Sequence, residues 1–130
     1  MRGLRMVWAA LTGYIVDVFL SSLIVGGGYA LANIAAPGDI NFTQPVHVLV
    51  GLVLPVLMTM VGGGVAGALA PLDPTPAGAL VGGLGLITMA AEGSDMYKPH
   101  ALVFIIAQCV AVFGAAAVAT LVARRRRSPT

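Results

Sequence analysis

Asp17 is the first residue in this chain with the means to do chemistry. It is the only acidic or basic side chain in an apolar run from about Met6 to Ala36. A charge at the centre of a bilayer costs roughly 2.5–3.5 kcal/mol on insertion scales, so this carboxyl is expected to face other helices or a cavity. Gly13 and Ser21 stand one helical turn to either side and complete a small, polar stripe. Two kinds of chemistry fit such a group. It can hold a proton or a cation. It can also sit as a neutral carboxyl that hydrogen-bonds a neighbouring helix and fixes packing. No Lys or Arg lies inside an apolar run to pair with it. Ser21 and the glycine-exposed backbones of the second and third helices are its expected partners.

A second polar set lies away from the basic ends. His47 and His100 open the second and fourth apolar runs, and Glu92 and Asp95 precede His100. Two imidazoles and two carboxylates are metal-ligand types. Their spacing matches no ligand pattern, so these residues are expected to form a polar outer face, with no metal and no cofactor. Gln108 is expected to hydrogen-bond between helices, and Cys109 to be a small packing residue. A single cysteine allows no intrachain disulfide. The sequence holds no phosphate-binding glycine loop after a strand, no paired catalytic carboxylates and no nucleophile–base motif, so no catalytic residue is named and no enzyme is expected.

The elements that must position these residues are apolar helices. Of 130 residues, 58% are apolar and 9% are charged. A soluble domain carries about 25% charged residues, so water is a poor solvent for this chain. The fold expected is all-α: an integral membrane bundle of four transmembrane helices, packed through Gly and Ala, in a single domain. The spans run over about 6–36, 45–70, 76–91 and 99–123. The first is too long for a bilayer core of about 30 Å, and Gly26-Gly27-Gly28 is the natural place for it to bend. Pro55 lies inside the second run and should kink it, because it cannot donate to Gly51 and its ring clashes with that carbonyl. Thr75 and Pro76 suit the cap and first turn of the third run. The start of the chain has some features of a signal peptide, but its apolar stretch is too long and Asp17 interrupts it.

Small residues recur every four positions: Gly63 and Gly67, Gly78 and Gly82, and the ladder Ala111, Ala115, Ala119 and Ala123. Such stripes let helix backbones approach in lipid. They pack the bundle internally, or one of them turns outward to a second copy or a membrane-protein partner. Gly13-Tyr14-Ile15-Val16-Asp17, with Gly62-Gly63-Gly64-Val65-Ala66-Gly67 through Ala70-Pro71 and then Gly78, resembles a group of small, uncharacterised four-helix bacterial membrane proteins. The resemblance covers most of the chain by layout. It implies a fold and a location, and brings no catalytic residue with it.

The role expected from these features is non-catalytic: an accessory or scaffold subunit, or a self-associating bundle. The alternative is a small oligomeric transporter or channel using Asp17. Arg124, Arg125, Arg126 and Arg127 are expected to anchor the last helix and attract anionic lipid. No nucleic-acid partner is expected. Six of the seven Lys and Arg residues lie at the two ends of the chain, and only Lys98 lies between. Four spans put both ends on one side, which the positive-inside rule makes cytoplasmic. Reporter fusions at both termini and in the Glu92–Lys98 loop check this: cytoplasmic signal is expected from the termini and external signal from the loop.

Overall fold

The computed structural model describes residues 2–35, 45–91 and 101–127, and all the elements among them are helical. Helix α1 runs through Arg2–Leu20, a π-helical turn Ser21–Val25, and Gly26–Ala35. Helix α2 runs through Pro45–Val48, a second π turn Leu49–Val53, and Leu54–Leu69. Helices α3, Pro74–Ala91, and α4, Ala101–Arg127, are uninterrupted. Each of the four is long and apolar enough to cross a membrane. Large apolar side chains such as Phe113, Leu102, Ile15 and Ile87 point outward. The turn expected near Pro37–Asn41 and the polar loop Glu92–Lys98 lie outside the described residues.

Three helix boundaries differ from the sequence reading, the first being that of α1, which already includes Arg2 and Arg5 ahead of Met6. Helix α3 begins at Pro74. Its first residues have no intrahelical use for their N–H groups, so Pro74 and Pro76 both fit there. Thr75 does not act as the cap; its hydroxyl meets that of Thr120 on α4 at 2.6 Å. Helix α4 does not stop at Ala123 but continues through the arginines to Arg127.

The departures from α geometry also have local causes. Pro55 has no N–H for Gly51, and the turn that carries Gly51 widens to π geometry directly before it. In α1 the irregular turn is not at Gly26-Gly27-Gly28, where the helix is regular again. It lies just before, over Ser21–Val25, and the Gly26 N–H reaches back to the Ser21 carbonyl. Ser22 Oγ donates to the Val18 carbonyl at 2.8 Å, a back-bond of the kind that bends helices.

Helix α1 packs on α2 and α3, and α4 packs on the same two, with α2 and α3 in contact across the middle. The core where they meet is built almost without side chains. Ala66, Ala77, Val81 and the ladder alanines Ala111, Ala115, Ala119 and Ala123 are buried, and Val81 is the largest fully buried side chain among the described residues. A Cβ on Gly63 or Gly67 would collide with the backbone of Ala115 or Ala119, respectively. One on Gly78 would collide with Ala115 and Ala119, and one on Gly82 with Val112. The stripes that could have faced a partner therefore close the bundle on itself.

Both basic ends of the chain meet at one end of this bundle. Arg5 Nε donates to the Leu69 carbonyl at 3.2 Å, and Arg126 Nη1 to the Ala68 carbonyl at 3.2 Å. These are last-turn carbonyls of α2, which lack helical donors, and guanidinium groups also suit the negative end of the helix dipole. Beyond them a tight turn over Ala70–Asp73 is closed by the Asp73 N–H on the Ala70 carbonyl at 3.1 Å.

Glycine substitutions separate contact from mere presence. Gly67→Val should destabilise the detergent-solubilised protein by roughly 1–3 kcal/mol or more, the usual cost of overpacking. Gly83 has nothing within reach of an added Cβ, and Gly83→Ala should stay within about 0.5 kcal/mol of wild type. Thermal or denaturant unfolding of the two variants checks the contrast.

Candidate functional site

The tight packing at the basic end leads directly to Asp17. Gly13 on α1 and Gly62 on α2 face each other so closely that a Cβ on either would strike the carbonyl of the other. One turn further along α1, Gly62 also makes room for Asp17, whose Cβ lies 3.0 Å from where a Gly62 Cβ would be. The carboxyl is buried, at 6% exposure, and faces the bundle as the sequence requires.

Both of its oxygens are hydrogen-bonded. Ser21 Oγ donates to Oδ1 at 3.2 Å. Thr59 Oγ1 lies 3.1 Å from Oδ2 and 3.1 Å from the Pro55 carbonyl. The Thr59 hydroxyl has one proton and two acceptors. If Asp17 is ionised, Thr59 donates to Oδ2. If Asp17 carries a proton on Oδ2, it donates to Thr59, which turns its own proton to Pro55. Either way no buried polar atom is stranded. The site can gain or lose one proton by rotating one hydroxyl. Ser21 was expected from the sequence; the partner on α2 is the Thr59 side chain, not a glycine-exposed backbone.

Other polar groups lie nearby. Tyr14 Oη meets Thr88 Oγ1 on α3, and Thr88 Oγ1 lies 2.8 Å from the Leu84 carbonyl. With the Thr88 proton on Leu84, Tyr14 is the donor to Thr88. Gln108 Nε2 on α4 donates to the Gly82 carbonyl at 3.0 Å, and Gly85 leaves space for its amide. Gln108 thus makes the interhelical bond expected of it. Thr59 and Thr88 are hydroxyls inside otherwise apolar runs, each with a proline or glycine within four residues. That is the signal that marks them in the sequence, and it is a common one.

These residues surround a cavity of about 600 Å³ between all four helices. Asp17, Ser21, Ser22, Thr59, Tyr14, Thr88 and Gln108 supply its polar lining. Val18, Leu52, Val56 and Phe104 are among its apolar walls. Both π turns contribute, Ser21 and Ser22 from one and Gly51 and Leu52 from the other. Helix irregularities of this kind are frequent at functional sites. The cavity lies on the side of Gly13 and Gly62 away from the arginine-bound end.

The remaining sequence candidates behave differently. His47 is buried in the first turn of α2. Glu92, Asp95 and His100 lie outside the described residues, so the four-residue outer face is not assembled among those described. No group of three His, Cys, Asp or Glu side chains converges among the described residues. Cys109 is exposed on α4 and does not pack in the core, because the buried stripe of that helix runs through Ala111 and Ala115. Arg124, Arg125 and Arg126 are exposed. Compared with protein-family models, with curated proteins and with solved structures, the chain matches none of them.

Replacing Asp17 tests what holds the site together. Asp17→Leu should loosen the bundle by about 1 kcal/mol, the usual worth of an interhelical hydrogen bond in lipid. Asp17→Asn should be nearly neutral, since the amide still accepts and donates. Unfolding of both variants in one detergent checks the order.

Proposed function

We propose that this chain is a multi-pass protein of the cell membrane that works as a small transporter or channel, with Asp17 as its proton or cation site. The observation that carries this reading is the cavity that reaches Asp17. Purely structural carboxyls need a partner and no space; this one has partners and a cavity of about 600 Å³. Intramembrane acids beside cavities are the usual markers of ion and proton pathways. The proton-tolerant arrangement of Thr59 supports the same reading, because a transfer site must be stable in both of its states.

The termini, and with them the Asp73 turn, face the cytoplasm in this proposal, on the strength of the arginines there. The exposed arginines at the end of α4 then lie at the surface of the inner leaflet, where anionic lipid attracts them. The cavity lies in the half of the bundle away from that surface. The closed end leaves no path within one bundle, so passage requires a second copy or a second conformation. The other reading is an accessory or scaffold subunit. It draws on the small-residue stripes, and these are spent inside the bundle.

Reconstitution in vesicles decides between the two. With an imposed pH gradient or membrane potential and an internal pH dye, the wild type is expected to carry protons or monovalent cations. Asp17→Asn should fall at least about tenfold while keeping its fold, since exchange at the carboxyl is lost. Equal flux in the two proteins, or none in either, would falsify the transport reading. A stoichiometric membrane-protein partner retained in mild detergent and identified by mass spectrometry would then establish the scaffold reading.

A further inference from the structure

The lining of the cavity restricts what it can hold. Among the described residues it has one acidic side chain, Asp17, and no Lys, Arg or His. An anion would find no cationic side chain among the described lining residues to pair its charge. A divalent metal is poorly served. Calcium takes six to eight oxygens, and magnesium keeps several waters in a strict octahedron, whereas the described lining offers a single carboxyl beside neutral hydroxyls and one amide. A bare monovalent ion would have to trade its water for walls such as Val18, Leu52 and Val56. A ligand that uses both parts of the lining has a cationic head and an apolar body. The volume falls within the range of small-molecule sites, about 300–1,000 Å³.

We propose that the Asp17 cavity binds an organic monocation with an apolar body, such as a protonated aryl- or alkylamine, in exchange for one proton. This names the ligand of the site proposed above and rests on that reading of Asp17. The ammonium head lies at the carboxyl, with the Ser21 and Thr59 hydroxyls beside it. The body lies against Val18, Leu52, Val56 and Phe104. The exchange balances: a neutral Asp17 carboxyl and an ammonium ion give a carboxylate–ammonium pair and one free proton. Were the proton retained, the cavity would hold a net positive charge with no counter-ion among its described lining residues. The Thr59 hydroxyl turns from Pro55 to Oδ2 in the same step, so the new carboxylate keeps the Ser21 donor and gains Thr59 as a second. Among the lining residues the titratable side chains are Asp17 and Tyr14, both on α1; α2, α3 and α4 contribute none.

The experiment is equilibrium binding to the full chain in mild detergent, followed by calorimetry. The probes are 2-phenylethylammonium and its neutral isostere 2-phenylethanol. Titration in two buffers of different ionisation enthalpy counts the protons released. The ammonium ion is expected to bind at least about tenfold more tightly than the alcohol, releasing about one proton where Asp17 starts neutral. On the acid side its affinity should rise about tenfold per pH unit and then level off. Asp17→Asn should abolish both the preference and the proton release. Should that variant not fold, the pH profile of the wild type decides alone. Equal binding of alcohol and amine, no detectable binding of the amine to folded protein, or amine binding with no proton released at any pH would each overturn the proposal. No membrane or gradient enters this measurement. Loss of flux with amine binding intact would sink transport and leave the ligand; Asp17-dependent flux with no amine binding would do the reverse.

Discussion

The structure depends on backbone touching backbone. Gly13 against Gly62, Gly63 and Gly78 against Ala115, and Gly67 against Ala119 are contacts in which a single added carbon has no room. In water such a core would be weak, because it buries little apolar side chain. Between helices in lipid the comparison changes: side chains lose nothing by facing outward, and close backbone approach supplies the dispersion energy that holds the bundle. This is why the large apolar residues lie outside and alanine and valine lie inside. It also explains how a chain of this size closes four long helices without a conventional core.

The same constraint makes the cavity. Close approach holds only where small residues face each other, and along α1 and α2 that ends at Gly13 and Gly62. Beyond it both helices pass through a π turn, one at Ser21–Val25 and one at Leu49–Val53. Side chains of ordinary size then face inward from all four helices, and the space between them does not fill. Asp17 sits at the boundary between the two regimes. It is held by the closed half through the room that Gly62 leaves, and it is reached from the open half. A carboxyl placed one turn nearer the arginines would be sealed among glycines. One turn further along, it would lose the hydroxyl of Thr59.

The arginines at the two ends of the chain have one shared use that the fold shows. Arg5 and Arg126 satisfy carbonyls in the last turn of α2, which ties both ends of the chain to its centre. Their neighbours Arg124 and Arg125 remain exposed. An Arg side chain carries five N–H donors, so one bond to a carbonyl leaves others unspent.

By itself the sequence determined the four apolar helices, the shared end of the two termini, the inward direction of Asp17 and an irregular turn beside Pro55. All of these follow from local rules: length against hydrophobicity, charge placement, the cost of a carboxyl in lipid, and the missing proline N–H. It also supplied Ser21 as a partner, because one helical turn is a fixed distance. Only the tertiary structure decided which stripe meets which. Gly67 and Ala119 are far apart in sequence, and nothing in a run of glycines and alanines says which helix they will face. The same holds for Thr59 opposite Asp17, for Gln108 on Gly82 and for the space beside them. A cavity is the part of a fold that packing leaves unfilled, and it becomes visible only when all four helices are in place.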